Sequence, residues 1–242
     1  MKQSKLLSSA AIAVLMLFSC NSGNDEKTTD TTKTDTTVTA ITEKTPATPA
    51  GPSMTLLIKH KVSNFAKWYP AYQNHDSVRL SYGLHDYVIA RGIKDSNMVM
   101  VALRMDDTTK AKQFAMDPGL KTAMQKGGVE GTPKFYYTES KWHDSTTDQS
   151  TTRVIILQKV KDWDAWKKAF DGHKQARMDA GLTDRAVSTF VGDPHMVSVV
   201  LVVNDMKKAQ GFMNSKDLKD KMMEAGVEGA PDIFFYNVIK QY

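Results

Sequence analysis

The sequence predicts an α+β protein made of two copies of one strand–helix–strand–strand–helix–strand module, with both sheets packed together inside a single chain. Three observations carry that expectation. Trp68, His75, Arg79 and Gly83 return as Trp166, His173, Arg177 and Gly181, and each pair is 98 positions apart (166 − 68, 173 − 75, 177 − 79, 181 − 83). Short β-branched runs alternate with longer stretches whose apolar residues fall at helical spacing. Several β runs are apolar at consecutive positions, so both faces of each sheet need covering, and two helices cover only one.

Each copy can be read element by element. Residues 56–62, matched by 154–160, are a β-branched and apolar run bounded by polar residues, which predicts the first strand. Asn64 or Asp162 then stands where a helix wants its N-cap, and the helix should run to Gly83 or Gly181 as its stop. Pro70 lies inside that helix in the first copy and predicts a kink there; Lys168 at the matching place predicts a straighter second copy. Residues 87–93 with 98–105, and 187–191 with 196–203, predict hairpins closed by polar turns. A second helix begins at Asp107 or Asp205, with a fresh cap midway at Asp117 or Ser215. Gly128 or Gly226 ends it, and Pro133 or Pro231 is expected to open the last strand. The repeats therefore span 53–140 and 152–242, joined by a polar linker at 141–151. That element order is the ferredoxin-like arrangement of two helices on one face of a four-stranded antiparallel sheet. With the second sheet covering the free face, the expected whole is an intrachain α+β barrel, and a monomer.

The first 52 residues have a different character. Lys2 and Lys5 precede the apolar stretch 10–18, which is short for a membrane span and ends in Leu17-Phe18-Ser19-Cys20. This resembles the bacterial lipobox, which implies a signal peptide over 1–19 and lipid attachment at Cys20, the one cysteine of the chain. Asn21 resembles the outer-membrane sorting residue of Gram-negative lipoproteins, so the expected address is the cell envelope, anchored to the lipid bilayer. Residues 20–52 are Thr-rich and almost free of large apolar side chains, which predicts a disordered tether.

Composition excludes several functions. A net charge of +5, with acidic and basic residues interspersed, calls for no nucleic acid, and no basic stripe interleaved with aromatics exists. A single cysteine rules out an intrachain disulfide and a Cys-based zinc site. His60, His85, His143 and His195 do not recur between the copies, and no metal centre is expected.

The repeat resembles the dimeric α+β barrel superfamily, close to antibiotic biosynthesis monooxygenase-like and cyclase-like domains. The resemblance rests on Lys-Val before Asp162-Trp163-Asp164-Ala165-Trp166, on Gly-Leu after the first helix, and on Gly226-Val227-Glu228-Gly229-Ala230-Pro231 before the last strand. It implies the fold more firmly than any reaction, because such proteins include cofactor-free oxygenases, haem-degrading enzymes and isomerases. A ligand pocket between helices and sheet is what it leads one to look for.

Helical geometry places Trp68, Tyr72, His75 and Arg79 on one stripe, and Trp166, Phe170, His173 and Arg177 on another. An imidazole there can move a proton and a guanidinium can hold a carboxylate or enolate, which makes His75, Arg79, His173 and Arg177 the catalytic candidates. Trp68, Tyr72, Trp166 and Phe170 would form an aromatic wall. The same stripe is also what a helix needs to pack on a sheet, and the sequence offers no recurrent carboxylate on that face. Glu130 and Glu228 recur in the turn before the last strand without a geometric reason, so they join the ligand-binding candidates, pairing with a Lys or Arg being the plainer role. No cofactor is expected, haem entering only through His75 or His173 as a candidate axial ligand. The expected function is a tethered protein that binds a small aromatic or apolar molecule. Its alternatives are a cofactor-independent oxygenase, isomerase or cyclase, and a non-catalytic interaction module of the envelope.

Overall fold

A computed structural model describes residues 53–147 and 149–242. The expected signal peptide, Cys20 and the expected Thr-rich tether lie outside the described residues. The first repeat runs β1 (Met54–Val62), α1 (Phe65–Gln73), α2 (Asp76–Ser81), β2 (Leu84–Gly92), β3 (Met98–Met105), α3 (Thr108–Met116), α4 (Pro118–Lys126) and β4 (Val129–His143). After a short 3-10 turn the same order returns as β5 (Thr152–Val160), α5 (Trp163–Gly172), α6 (Lys174–Asp179), β6 (Leu182–Phe190), β7 (Asp193–Val203), α7 (Met206–Asn214), α8 (Lys216–Glu224) and β8 (Val227–Gln241).

The eight strands close into one antiparallel barrel in the order β1-β3-β2-β8-β5-β7-β6-β4. The two seams between repeats are edge pairings: Val88 opposite Gln241 through Gly92 opposite Tyr236, and Thr138 opposite Phe190 through His143 opposite Ala186. No sheet edge is left unpaired, which removes the usual route to strand-to-strand aggregation.

Strand alternation explains the doubly apolar runs. Leu57, Ile155 and Leu157 point into the barrel, where they pack with Val88, Ala90, Met100, Ala102 and Tyr236. Their neighbours Leu56 and Ile58, and Val154 and Ile156, point outward under the helices and build one core per repeat. Period two therefore feeds three cores from two sheets. The interior also holds polar ties between repeats: Arg185 Nη2 donates to the Tyr87 hydroxyl at 3.1 Å, and these two residues occupy matching positions (185 − 87 = 98).

Helix starts follow their capping residues. Asp107 accepts from the Lys110 amide at 2.7 Å, Asp162 from Ala165 at 2.7 Å, and Asn64 from Lys67 at 3.1 Å. The expected mid-helix restarts are present, with Asp117 accepting from Leu120 at 3.2 Å and Ser215 from Leu218 at 3.1 Å.

Three boundaries differ from the sequence reading. The first helix of each repeat is broken into two at His75 and at His173, not kinked at Pro70, which sits inside α1. Because the copy without proline breaks at the same place, proline is not the cause. Arg79 Nη1 donates to the Tyr72 carbonyl and Arg177 Nη1 to the Phe170 carbonyl, both at 2.6 Å, so the side chain takes a carbonyl at the helix end. The last strands begin at Val129 and Val227, ahead of the prolines, and absorb a bulge at Gly131 and Gly229, whose φ values are 68° and 70°. Finally, β4 continues to His143, into the stretch read as linker, because it has β6 to pair with.

Candidate functional site

The Trp–aromatic–His–Arg stripe lies between helices and sheet in both repeats. In the first, Trp68 stacks on Tyr72 with ring centroids 5.0 Å apart; in the second, Trp166 stacks on Phe170 at 5.2 Å. His75 and His173, each at its helix break, face Phe114 and Phe212 at 6.2 Å. Burial and the nearby Arg79 guanidinium lower the basicity of His75.

The arginines are committed to the protein. Arg177 Nε and Nη2 bind the two carboxylate oxygens of Asp184 at 2.7 and 2.8 Å, while the guanidinium lies 3.6 Å from the Phe170 ring centre. Arg79 does the same with Asp86 at 3.0 and 3.2 Å, reaches Asp76 at 3.1 Å, and lies 3.8 Å from the Tyr72 ring centre. Sequence reasoning looked for a recurrent carboxylate on the helix face and found none. It recurs instead on the neighbouring strand (184 − 86 = 98), and it orients the arginine rather than the imidazole. Such a bidentate, stacked pair fixes a fork geometry and leaves little of the guanidinium for a substrate. Tyr72 completes the first cluster by donating to Asp86 at 2.5 Å; burial raises its phenol well above the ordinary range.

Around these stripes the two repeats differ. The second holds one cavity of about 300 Å³, walled by Trp166, Phe170, His173, Arg177, Phe212, Met213, Leu218, Met222 and Ile233, with Gln158 also in the lining and Lys221 and Glu224 from α8. In the first, the equivalent space is divided. A deep pocket of about 50 Å³ touches His60, Trp68, Tyr72, His75 and Arg79, and a separate outer groove of about 340 Å³ touches Phe135, Val129 and Pro133. Leu120 and Met124 belong to the walls of both. The Ile233 position carries Phe135 in the first repeat (233 − 135 = 98), and Phe170 carries Tyr72 (170 − 72 = 98), so bulk and a hydroxyl are added where space is lost.

Glu130 and Glu228 line neither cavity. Glu228 pairs with Lys159 at 3.0 Å, and Glu130 stands opposite Lys61 in the strand register. The residue that sequence reasoning passed over is His60. It is 4% exposed, its ring centroid is 5.4 Å from that of Trp68, and neither ring nitrogen has a hydrogen-bond partner. Burial depresses its pKa to about 4. Gln158 holds the same register of β5 (158 − 60 = 98) and is 7% exposed. The available signal was a polar side chain at one fixed place within an apolar strand in both copies.

Haem fits these residues poorly. A pocket of about 50 Å³ beside His75 holds no macrocycle. The cavity of about 300 Å³ beside His173 is at the lower bound of spaces that take drug-sized molecules. Arg177 is already paired and so is not available to a propionate. Among the described residues no group of three or more His, Cys, Asp or Glu converges as a metal site, and no helix is long and apolar enough to cross a membrane.

No family model matches the chain, and no curated protein matches it in sequence. Solved structures do match its fold. An anthrone oxidase-like protein superposes with a TM-score of 0.55 at 12% identity, covering 80% of this chain and 94% of its own. A candidate monooxygenase from Fusobacterium nucleatum subsp. nucleatum gives 0.51 at 12% identity, over 79% and 94%. A candidate chlorite dismutase gives 0.50 at 9% identity, over 78% and 95%. These likenesses show the fold: an α+β arrangement shared with those solved structures, which in this chain is an eight-stranded barrel built from two ferredoxin-like halves.

Proposed function

We propose that the chain is a lipid-anchored envelope protein whose second repeat binds a small aromatic or otherwise apolar molecule in the cavity between its helices and the barrel. The observation that carries this reading is the cavity itself: about 300 Å³ undivided in the second repeat with a largely apolar wall, where the first repeat splits its space into a deep pocket of about 50 Å³ and an outer groove of about 340 Å³. Small-molecule sites are concave, apolar and furnished with few polar groups. Leaving such a space unfilled forfeits packing, so a ligand would regain it.

Cys20 would carry the acyl chains, and residues 20–52 would let the barrel stand off the bilayer by roughly 30 Å, from about 5–6 Å times the square root of tether length. With both seams of the barrel closed inside the chain, a monomer suffices. The oxygenase, isomerase or cyclase reading keeps His173 in the cavity wall but loses its anion clamp, since Arg177 is held by Asp184 and the Phe170 carbonyl. An inert interaction module would have no use for an unfilled interior.

The test is thermal unfolding of the detergent-solubilised full chain against a panel of two- and three-ring aromatics. A ligand at one hundred times its Kd stabilises by about 2.7 kcal/mol, which is readily seen as a raised midpoint. Ile233→Phe, which places in the second repeat the residue that the first already carries, should abolish that rise. A panel without any stabilising member, or a rise that survives Ile233→Phe, would defeat the reading.

A further inference from the structure

We infer that Gln158 is the specificity-determining contact of the second-repeat cavity, donating or accepting a hydrogen bond with an uncharged oxygen-bearing group at the inner end of an otherwise apolar ligand. The inference rests on the reading of that cavity as a binding site.

Gln158 lines the cavity from β5, a strand paired on both sides within the barrel, and is 7% exposed. Its side-chain amide takes part in none of the hydrogen bonds formed among the described residues, although it brings two donors and two acceptor lone pairs. The amide is open to the cavity, so water or a ligand there, and not a protein group, meets its hydrogen-bonding capacity. The same register in the other repeat is also polar: His60 is buried, lines the deep pocket, and has both ring nitrogens unpaired. Two copies with different side chains at one register both place a polar group against the space beneath the helices. Packing alone would favour an apolar residue there, as at Ile58 and Ile156 two positions earlier on the same faces.

The cavity also limits the ligand's charge. Arg177 is neutralised by Asp184, and the exposed cation and anion, Lys221 and Glu224, are on α8 and pair with each other at 2.8 Å. A charged group brought against Gln158 would meet only a neutral amide after losing its water, whereas a hydroxyl or carbonyl is matched by it. The ligand class is therefore a neutral ring system bearing a phenolic or carbonyl oxygen at its leading edge, with the polar or charged remainder, if it has any, at the α8 side.

The experiment compares two probes that differ by one hydroxyl for one methyl, 2-naphthol and 2-methylnaphthalene, binding to the full chain in detergent by quenching of tryptophan fluorescence. The ratio of their affinities is measured in the wild type and in Gln158→Met. We expect the ratio to shift toward the methyl compound by at least about tenfold in the variant, the worth of one hydrogen bond in an apolar site. The ligand-free variant should unfold at a midpoint within about 2 °C of the wild type's, because the exchange gives up cavity water and no protein hydrogen bond. Binding of both probes with an unchanged ratio would overturn the inference and leave the cavity reading standing. Failure of both probes to bind the wild type would remove the cavity reading and this inference with it. A midpoint lowered by more than about 2 °C, or failure of Gln158→Met to fold, would make Gln158 a packing residue and overturn the inference.

Discussion

Acid should loosen this protein through His60. The imidazole is buried against Trp68 with no hydrogen-bond partner, and its pKa falls from 6.5 to about 4 because burial penalises the charged ring. Above pH 6.5 the ring is neutral in both folded and unfolded chains, and nothing is lost. Between pH 6.5 and 4 the unfolded chain binds a proton that the folded chain refuses, so stability declines as pH falls through that window. For these two pKa values the decline is about 2 kcal/mol by pH 5 and about 3 kcal/mol by pH 4. Urea unfolding of the wild type and of His60→Gln at pH 7, 6 and 5 isolates the effect, since glutamine is the residue of the matching register in β5 and does not titrate. The other ionisable groups titrate alike in both proteins and cancel in the difference. A wild-type minus variant difference that stays level within about 0.5 kcal/mol from pH 7 to pH 5 would refute the reasoning, because more than half of the expected change falls in that interval.

Three other outcomes are expected. Arg177→Met should destabilise by about 3–5 kcal/mol in the same urea assay by stranding Asp184, whose side chain is 12% exposed, and Arg177→Met with Asp184→Leu should recover much of that loss. Phe135→Ile removes bulk from the outer groove of the first repeat, and should let the shared wall of Leu120 and Met124 relax, join the two spaces and raise the ligand stoichiometry from one to two by calorimetry; a stoichiometry fixed at one would mean that Phe135 does not hold that wall in place. Cys20→Ala should move the protein from the detergent phase to the aqueous phase and end incorporation of radiolabelled palmitate, and a variant that still partitions with detergent would exclude Cys20 as the anchor.

The architecture was legible because its determinants are periodic and local. A repeat offset of 98 and strands such as residues 154–157, apolar on both faces, demand a second sheet, and the capping residues Asp107, Asp117, Asp162 and Ser215 mark starts that the structure keeps. The helix break at His75 and His173 was not legible, since it is made by a guanidinium reaching back to a carbonyl seven residues earlier while a carboxylate on another strand holds it. No pattern within the helix encodes such a tertiary contact. The stripe at helical spacing led to the cavity wall, but the roles within it follow from partners elsewhere: Asp86 and Asp184 convert both arginines from free cations into struts.

The divergence of the cavities follows from the same shared frame. Strands β2 and β4 of the first repeat are completed by β8 and β6 of the second, so neither sheet closes without its twin. Loss of packing in one repeat is then borne by the cooperative unit rather than by a small domain with little stability to spare. Under that arrangement Ile233 and Phe170 can leave room at the positions that Phe135 and Tyr72 occupy in the first repeat, while Trp68, Phe114 and Leu120 keep their types as Trp166, Phe212 and Leu218 in the second. Keeping the undivided cavity in one copy and the divided space in the other lets a site that weakens packing persist without unmaking the barrel that holds it.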